Sequence, residues 1–290
     1  MENWDDYRFV LALDRAGTLR GAAQRLGVNH STVSRRLQAI NQAAAGPLFE
    51  KIVGGYRPTS HGDRVIESAE QMELIVIASQ RQRRAEAVDL SGEVKLSVPD
   101  TLYRFLLLSE LAKFQREYPA IDLVVGPSNR LVNLDRSEAD VVVRGTKQPP
   151  DHLVGRRLFP YALCYYSHVD YLKDNMESDY AWIGGADNSV RKTLLAKSPF
   201  PDAPVGLKIN DVIMRHEAAL EKHGMIIDAC YMADPDPRLS RLPGARAFSG
   251  LDLWVLTHPD LRDTPRIQCV MQFLVDVLRK NRELIEGRSN

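Results

Sequence analysis

The stretch Leu19 to Ile40, LRGAAQRLGVNHSTVSRRLQAI, constrains the fold of this 290-residue chain more than any other. Ala22, Ala23 and Leu26 fall on one face of a short helix, and Gly27 can take the left-handed conformation that ends it. Val33, Leu37 and Ile40 then recur at helical spacing on a second helix. Asn29 stands where that helix needs an N-cap, so its side-chain oxygen is expected to accept first-turn amides. With the apolar positions inward, the second helix shows His30, Ser31, Thr32, Ser34, Arg35 and Arg36 to solvent, a set of donors and cations with no large apolar member. Short polar side chains and Arg on the N-terminal part of a helix suit a DNA major groove, where they reach base edges. An ordinary solvated helix pair has the same bare pattern, so the flanks must decide.

Before the pair, Trp4, Tyr7, Val10, Leu11 and Leu13 make an apolar stripe on a helix that Asn3 can cap. After it, Gly46, Pro47, Leu48, Phe49, Glu50 and Lys51 lead into Val53, Gly54, Gly55, Tyr56 and Arg57, with Gly54 and Gly55 read as a hairpin tip. Three helices and a hairpin make a winged helix-turn-helix. The run AAQRLGVNHSTVSRRL, then PLFEK, then the hairpin and Thr59 with Gly62, resembles the DNA-binding domain of LysR-type transcriptional regulators. Four positions depart from that family's pattern. Arg20 stands where the family usually has a Ser or Thr capping the first helix of the pair, His30 where Gln is common, Asn41 where an acid is usual and Lys51 where Arg is usual. His30 bears on sequence preference, because imidazole and a carboxamide offer different donors and acceptors to a base.

The net charge is zero, so the chain as a whole has no nucleic-acid signature. Its distribution differs: Arg15, Arg20, Arg25, Arg35, Arg36, Lys51 and Arg57 share the Arg15–Arg57 stretch with Glu50 alone as an acid. Three cysteines, Cys164, Cys230 and Cys269, are far apart and outside any CxxC pattern, which points to inert thiols, with a redox sensor formed by two of them as the alternative. No zinc site or disulfide framework is expected. The acidic start MENWDD and the absence of a long apolar run argue for a cytoplasmic protein without a membrane span.

Thr59 can cap a long helix running to about Ala85. Val65, Met72 and Ser79 repeat at seven with Ala69 and Val76 between them, as in a coiled-coil seam, and Leu74, Ile75 and Ile77 widen the stripe. The natural partner of such a helix is the same helix of a second chain, and the family resemblance implies the same homodimer. A helix packed within its own domain is the alternative. Beyond Gly92 the pattern changes to an α/β alternation that implies a parallel sheet. Strand Val94–Val98, helix Tyr103–Tyr118, strand Ile121–Val125, a short helix Leu131–Ser137 and strand Asp140–Arg144 come first. Strands near Val154–Leu158 and Ala162–Tyr166 lead to a second unit with a helix near Val190–Lys197, another from Asp211 to Lys222, a last strand Leu251–Thr257 and a helix from Pro265 to about Ile285. The segments YPAIDLVVGPSNRL, EADVVVRG, AALEKHGMIIDACYMADPDPRL and LWVLTHPDLRDTPRI resemble the family's effector domain, a two-lobed α/β body shaped like a periplasmic binding protein. The expected division is 1–58 for DNA binding, 59–90 for the linker helix and 91–290 for the effector domain, with lobe I about 91–161 plus 266–290 and lobe II about 162–265.

Open α/β sheets bind ligands beyond the carboxyl ends of their strands. Asp100 and Thr101 lie in the first such loop, and Ser128, Asn129 and Arg130 in the second. Both loops match effector-contacting loops of the family. Arg144 ends the third strand and can pair with an effector carboxylate, or equally hold Asp140 or a loop carbonyl. Asp100 at a helix start disfavours an acidic effector, or only caps the helix. No nucleophile elbow, Walker loop, GxGxxG or metal-ligand motif is present, and His152, His168, His216, His223 and His258 share no organising spacing. A binding module without catalysis follows, needing no cofactor beyond an unidentified small-molecule effector.

The expected mechanism has two chains each placing the Asn29–Ile40 helix in a major groove, sequence being read chiefly by His30, Ser31 and Arg35 while Lys51 and Arg57 hold phosphate. The resemblance implies a tetramer built from dimers, with RNA polymerase a further possible partner. The competing classes are a ligand-binding or enzymatic protein whose basic N-terminal domain docks another protein, and an architectural DNA binder without sequence selectivity.

Overall fold

The computed structural model describes residues 3–44, 46–85, 90–127, 139–185 and 193–288. They form two compact units, Met1–Gln80 and Arg81–Asn290.

In the first unit, α1 (Trp4–Ala16), α2 (Leu19–Leu26) and α3 (His30–Ala43) are followed by a hairpin of β1 (Phe49–Ile52) and β2 (Gly55–Pro58), and then α4 (Ser60–Ala85). Asn3 caps α1 as expected, accepting the Asp5 amide at 2.9 Å. The cap of α2 is Thr18, whose hydroxyl accepts from Gly21 at 3.1 Å, so Arg20 sits inside the first turn and the helix lacks no cap. Asn29 does occupy the N-cap of α3, but its side chain makes no capping bond. Its carbonyl takes the Thr32 and Val33 amides instead. Asn41 supplies through an amide oxygen the acceptor that an acid would offer, binding the Leu48 amide at 3.0 Å.

The hairpin turns at Val53 and Gly54, one residue earlier than its sequence suggests, with Gly54 at φ +90. Gly55 is the first residue of β2 and serves another purpose. A Cβ there would lie 2.2 Å from the Gly17 carbonyl oxygen, the same oxygen that accepts the Tyr56 amide at 2.8 Å. The wing is thus pinned to the end of α1. Gly62 makes a second close approach, to the Leu48 carbonyl, inside the turn that Thr59 caps through Gly62 at 3.0 Å.

The seam expected along α4 is divided. Ala69 is fully buried, and Val65 and Ile66 pack on the core of their own unit, so the first turns of the stripe are already spent. Met72, Leu74, Ile75 and Val76 remain exposed.

The second unit is built on a seven-stranded mixed sheet, not a purely parallel one. Strand β3 (Gly92–Val98) runs parallel to β4 (Ile121–Pro127) and β5 (Val141–Thr146). The strands β6 (Val154–His168), β9 (Ile226–Ala229), β10 (Leu239–Arg241) and β11 (Phe248–Thr257) pair antiparallel. The two strands expected between Val154 and Tyr166 are one, because Pro160 lies where the ladder with β11 shifts register and its missing amide costs no regular bond. Two further strands, β7 (Trp182–Gly184) and β8 (Val205–Lys208), pair in parallel. The helices are α5 (Asp100–Leu102), which continues through a π-helical turn (Tyr103–Leu107) into α6 (Leu108–Glu117), then α7 (Tyr171–Asp174), α8 (Val212–Leu220), α9 (Cys230–Ala233), α10 (Pro265–Lys280) and α11 (Arg282–Ile285). The helix expected at Leu131–Ser137 lies outside the described residues, as does part of the one expected at Val190–Lys197.

Packing divides this unit into two cores. Val94, Leu96, Leu107, Phe114, Val141, Val143, Val255 and Leu274 belong to the first. Cys164, Tyr166, Ile183, Leu220 and Ile226 belong to the second, flanked by a cluster around Trp182. Strands β6 and β11 run through both: Phe159 and Val255 lie in the first core, Tyr166 and Phe248 in or against the second. Two adjacent strands are therefore the crossing between lobes.

Candidate nucleic-acid interface and effector cleft

Val33, Leu37 and Ile40 are buried among Phe9, Val10, Leu13, Ala22, Ala23 and Leu48. At roughly 1.5–3 kcal/mol for each such side chain, this burial fixes the rotation of α3 about its axis. His30, Ser31 and Arg35 are consequently exposed, and Thr32, Ser34 and Arg36 half-buried along the same side. No acidic residue occupies the first turn, so the positive end of the helix dipole is left for an external anion.

The cations are less available than their number in sequence suggests. Arg36 Nε lies 2.7 Å from Asp6, and Arg57 holds Glu50 across the hairpin at 2.8 and 2.5 Å. Arg15 is bound by both oxygens of Glu73, at 2.8 and 2.6 Å, which raises its already high pKa. Asp6 and Glu73 lie outside the Arg15–Arg57 stretch, so a local charge count misses them. Arg35 and the exposed Lys51 make no ion pair among the described residues. The Arg57–Glu50 pair is exposed and so contributes about 0–1 kcal/mol, little enough for a phosphate to displace.

In the second unit, the loop after β3 leads directly into α5, with Pro99 at the N-cap and Asp100 as the first helical residue. The Thr101 hydroxyl meets the Tyr231 hydroxyl of α9 at 2.8 Å, a contact between the lobes. Nearby, Arg104 bridges to Glu217 of α8 at 2.6 Å, and the Phe105 ring meets the edge of His216 at 5.1 Å. His216 is itself buried and shares a 2.7 Å hydrogen bond with Asp228, whose other oxygen accepts the Ala229 amide. Burial pushes the Asp228 carboxyl above its ordinary range, while the His216 bond opposes the shift. Tyr161, halfway along β6, fills the space beside Gly145 and Gly250; a Cβ at either glycine would come within 3 Å of its ring.

Of the six effector positions read from sequence, Asp100 and Thr101 stand at this junction. Ser128, Asn129 and Arg130 lie outside the described residues. Arg144 projects from the face of β5 opposite Val143, where it donates to Ser97 Oγ at 3.3 Å and lines a cavity of about 540 Å3 with Val142, Gln148 and Pro149. Burial lowers its pKa. Asp140, the alternative partner, accepts the Lys95 amide at 2.9 Å. Sequence reasoning missed Tyr161, Tyr231 and the His216–Asp228 pair. The one signal available was a carboxylate in the apolar run MIIDAC, which a strand can bury only with a partner.

Fold and sites together define a winged-helix DNA-binding unit joined to a two-lobed α/β ligand-binding unit. Residues 4–63 match the bacterial regulatory helix-turn-helix protein, lysR family, and residues 87–279 match the LysR substrate binding domain. The chain belongs to the LysR family of transcriptional regulators, proteins that bind DNA and small-molecule effectors and are not enzymes. It is 23% identical to the Mau operon transcriptional activator of Paracoccus denitrificans, over 95% of this chain and 96% of that protein. It is 28% identical to the regulator CbbR of Xanthobacter flavus, over 49% of this chain and 43% of that one. Among solved structures, the full-length virulence activator AphB of Vibrio cholerae superposes with a TM-score of 0.59 at 17% identity, covering 94% of this chain and 99% of that one. CrgA of Neisseria meningitidis gives 0.55 at 17% identity, covering 97% and 99%. Among the described residues no helix is long and apolar enough to cross a membrane.

Proposed function

We propose that this regulator recognises its operator as a dimer, each α3 entering one major groove of a dyad-related site. His30, Ser31 and Arg35 read base edges, Thr32, Ser34 and Arg36 flank them, and Lys51 and Arg57 hold phosphate. The observation that carries this reading is the rotation of α3, which buries Val33, Leu37 and Ile40 and leaves no large apolar side chain on the opposite side. Residues 1–58 are the DNA-binding domain and 59–90 the linker, whose exposed Met72, Leu74, Ile75 and Val76 supply the dimer contact. Dimers pair into tetramers, and the protein works in the cytoplasm, where its DNA lies.

Residues 91–290 take the effector. A small molecule at the junction of the lobes meets Asp100 and Thr101, with Ser128, Asn129, Arg130 and Arg144 completing the set. An effector that takes the Thr101 hydroxyl competes with Tyr231, so binding changes the contacts between lobes and through them the spacing of recognition helices and the bend in DNA.

Fluorescence anisotropy over a salt series, using the DNA upstream of the protein's own coding region and a scrambled duplex, tests the reading. The expected result is a preference on the order of a thousandfold for the upstream DNA, with both affinities falling steeply with salt. Equal affinities for both, together with every other operator candidate, would leave an architectural binder. No binding at low salt would leave a protein-docking domain.

A further inference from the structure

Lobe II contains a second cavity, about 870 Å3 in volume, that neither Thr101 nor Tyr231 lines. Its floor is aromatic. Tyr165 is buried, its hydroxyl committed to the Leu194 carbonyl at 2.6 Å, so it turns a ring and not a donor toward the space. The Phe248 ring lies 5.4 Å away, and Pro199 and Pro243 add further apolar wall. The charged residues of the lining are Lys197 and Arg246, both exposed, and neither makes an ion pair among the described residues. Among the described residues no carboxylate lines the cavity. Ser198 adds a buried Oγ without a hydrogen-bond partner.

An apolar floor under two cations that no described carboxylate faces selects one ligand chemistry. A neutral molecule gains nothing from Lys197 and Arg246, and a bare inorganic anion leaves the rings uncovered. An organic acid uses both, because charge-assisted bonds form at the rim while its apolar body leaves water. The volume falls within the roughly 300–1,000 Å3 usual for small-molecule sites. The cavity also touches the crossing between lobes. Phe248 and Ser249 open β11 and pair with Leu163 and Ala162 of β6, and the register breaks between Ser249 and Asp252, where the strand passes toward lobe I.

We infer that this cavity is a second small-molecule site, taking a small organic acid with an aromatic or cyclic body, its carboxylate between Lys197 and Arg246 and its ring over Tyr165 and Phe248. A ligand there restrains the start of β11 and so biases the crossing strands independently of the junction site.

The test uses 4-fluorobenzoate as probe, followed by fluorine NMR on the full chain. Wild type is expected to bind it, the double variant Lys197→Glu with Arg246→Glu to bind it at least about tenfold more weakly, and Thr101→Val to keep the wild-type site. Inorganic phosphate is expected to compete poorly. No binding by wild type up to about 10 mM probe, unchanged binding by the double variant, or displacement by phosphate at equal concentration would each overturn the proposal. Because both substitutions are on exposed side chains, the fold survives them, and single Lys197→Glu provides a milder version of the same loss. DNA binding does not enter the readout, so the outcome stands apart from the operator assay.

Discussion

Arg36 Nε and Asp6 of α1 lie 2.7 Å apart, which divides the two adjacent arginines of α3 into one that braces the domain and one that faces outward. On the proposed operator contacts, Arg35→Ala is therefore expected to cost about 1–3 kcal/mol of operator affinity and to relax selectivity at one base pair. Arg36→Ala is expected to weaken binding to operator and scrambled DNA alike, and to lower thermal stability slightly. Anisotropy with both duplexes separates the two effects.

The wing is held by a contact that leaves no room for a side chain. Gly55→Ala places a Cβ 2.2 Å from the Gly17 carbonyl oxygen, so the hairpin must lift away from α1 or α1 must unwind at its end. A loss of roughly 1–3 kcal/mol in stability is expected, comparable to other overpacking substitutions, together with weaker DNA binding. Gly54→Ala provides the contrast: nothing lies within 4 Å of its Cβ, and only the strain of φ +90 is added. Thermal denaturation of the two variants ranks them.

The exposed stretch of α4 yields a prediction about assembly. Ile75→Glu puts a carboxylate into the outermost apolar position of the helix without touching Ala69 or the core beneath it. The proposed dimer through this helix is expected to dissociate at concentrations where wild type does not, while the circular dichroism spectrum stays unchanged. Sedimentation velocity on wild type and variant checks this.

Cys164 and Cys230 are buried, and burial pushes the Cys230 thiol up to about 11. At pH 8 both stay neutral and closed to solvent, so iodoacetamide is expected to label half-buried Cys269 first and the other two only on unfolding. The same shift has a consequence for stability. A thiol whose pKa is raised on folding contributes fully below the unfolded value of 9.0, and that contribution is lost as pH rises toward the folded value. Urea titrations at pH 8 and pH 10 are expected to show the lower midpoint at pH 10, with a Cys230→Ala variant narrowing the difference.

The helical units were legible in sequence because their determinants are local. Asn3 and Thr59 reach amides two or three residues away, and the Val33, Leu37, Ile40 spacing needs only the 3.6-residue period. Asn29 shows the limit of that logic: the cap position was right, yet the backbone carbonyl did the bonding. Periodicity along α4 disclosed an apolar stripe but not which surface covers it, and Val65, Ile66 and Ala69 turned out to serve their own domain. The junction of the lobes was the least legible part. Thr101 and Tyr231 are 130 positions apart, and nothing around either residue announces the other. Mixed strand directions likewise depend on which strands become neighbours, which apolar runs alone do not specify.

The chain leaves lobe I along β6 and comes back along β11, its paired neighbour. Lobe II is therefore an insertion with its entrance and exit side by side, and two adjacent strands are its whole covalent attachment. Such an arrangement makes lobe II one contiguous segment between Pro160 and Asp252, yet not a separable one, because Ala229, Tyr231 and Met232 of that segment are buried in the first core.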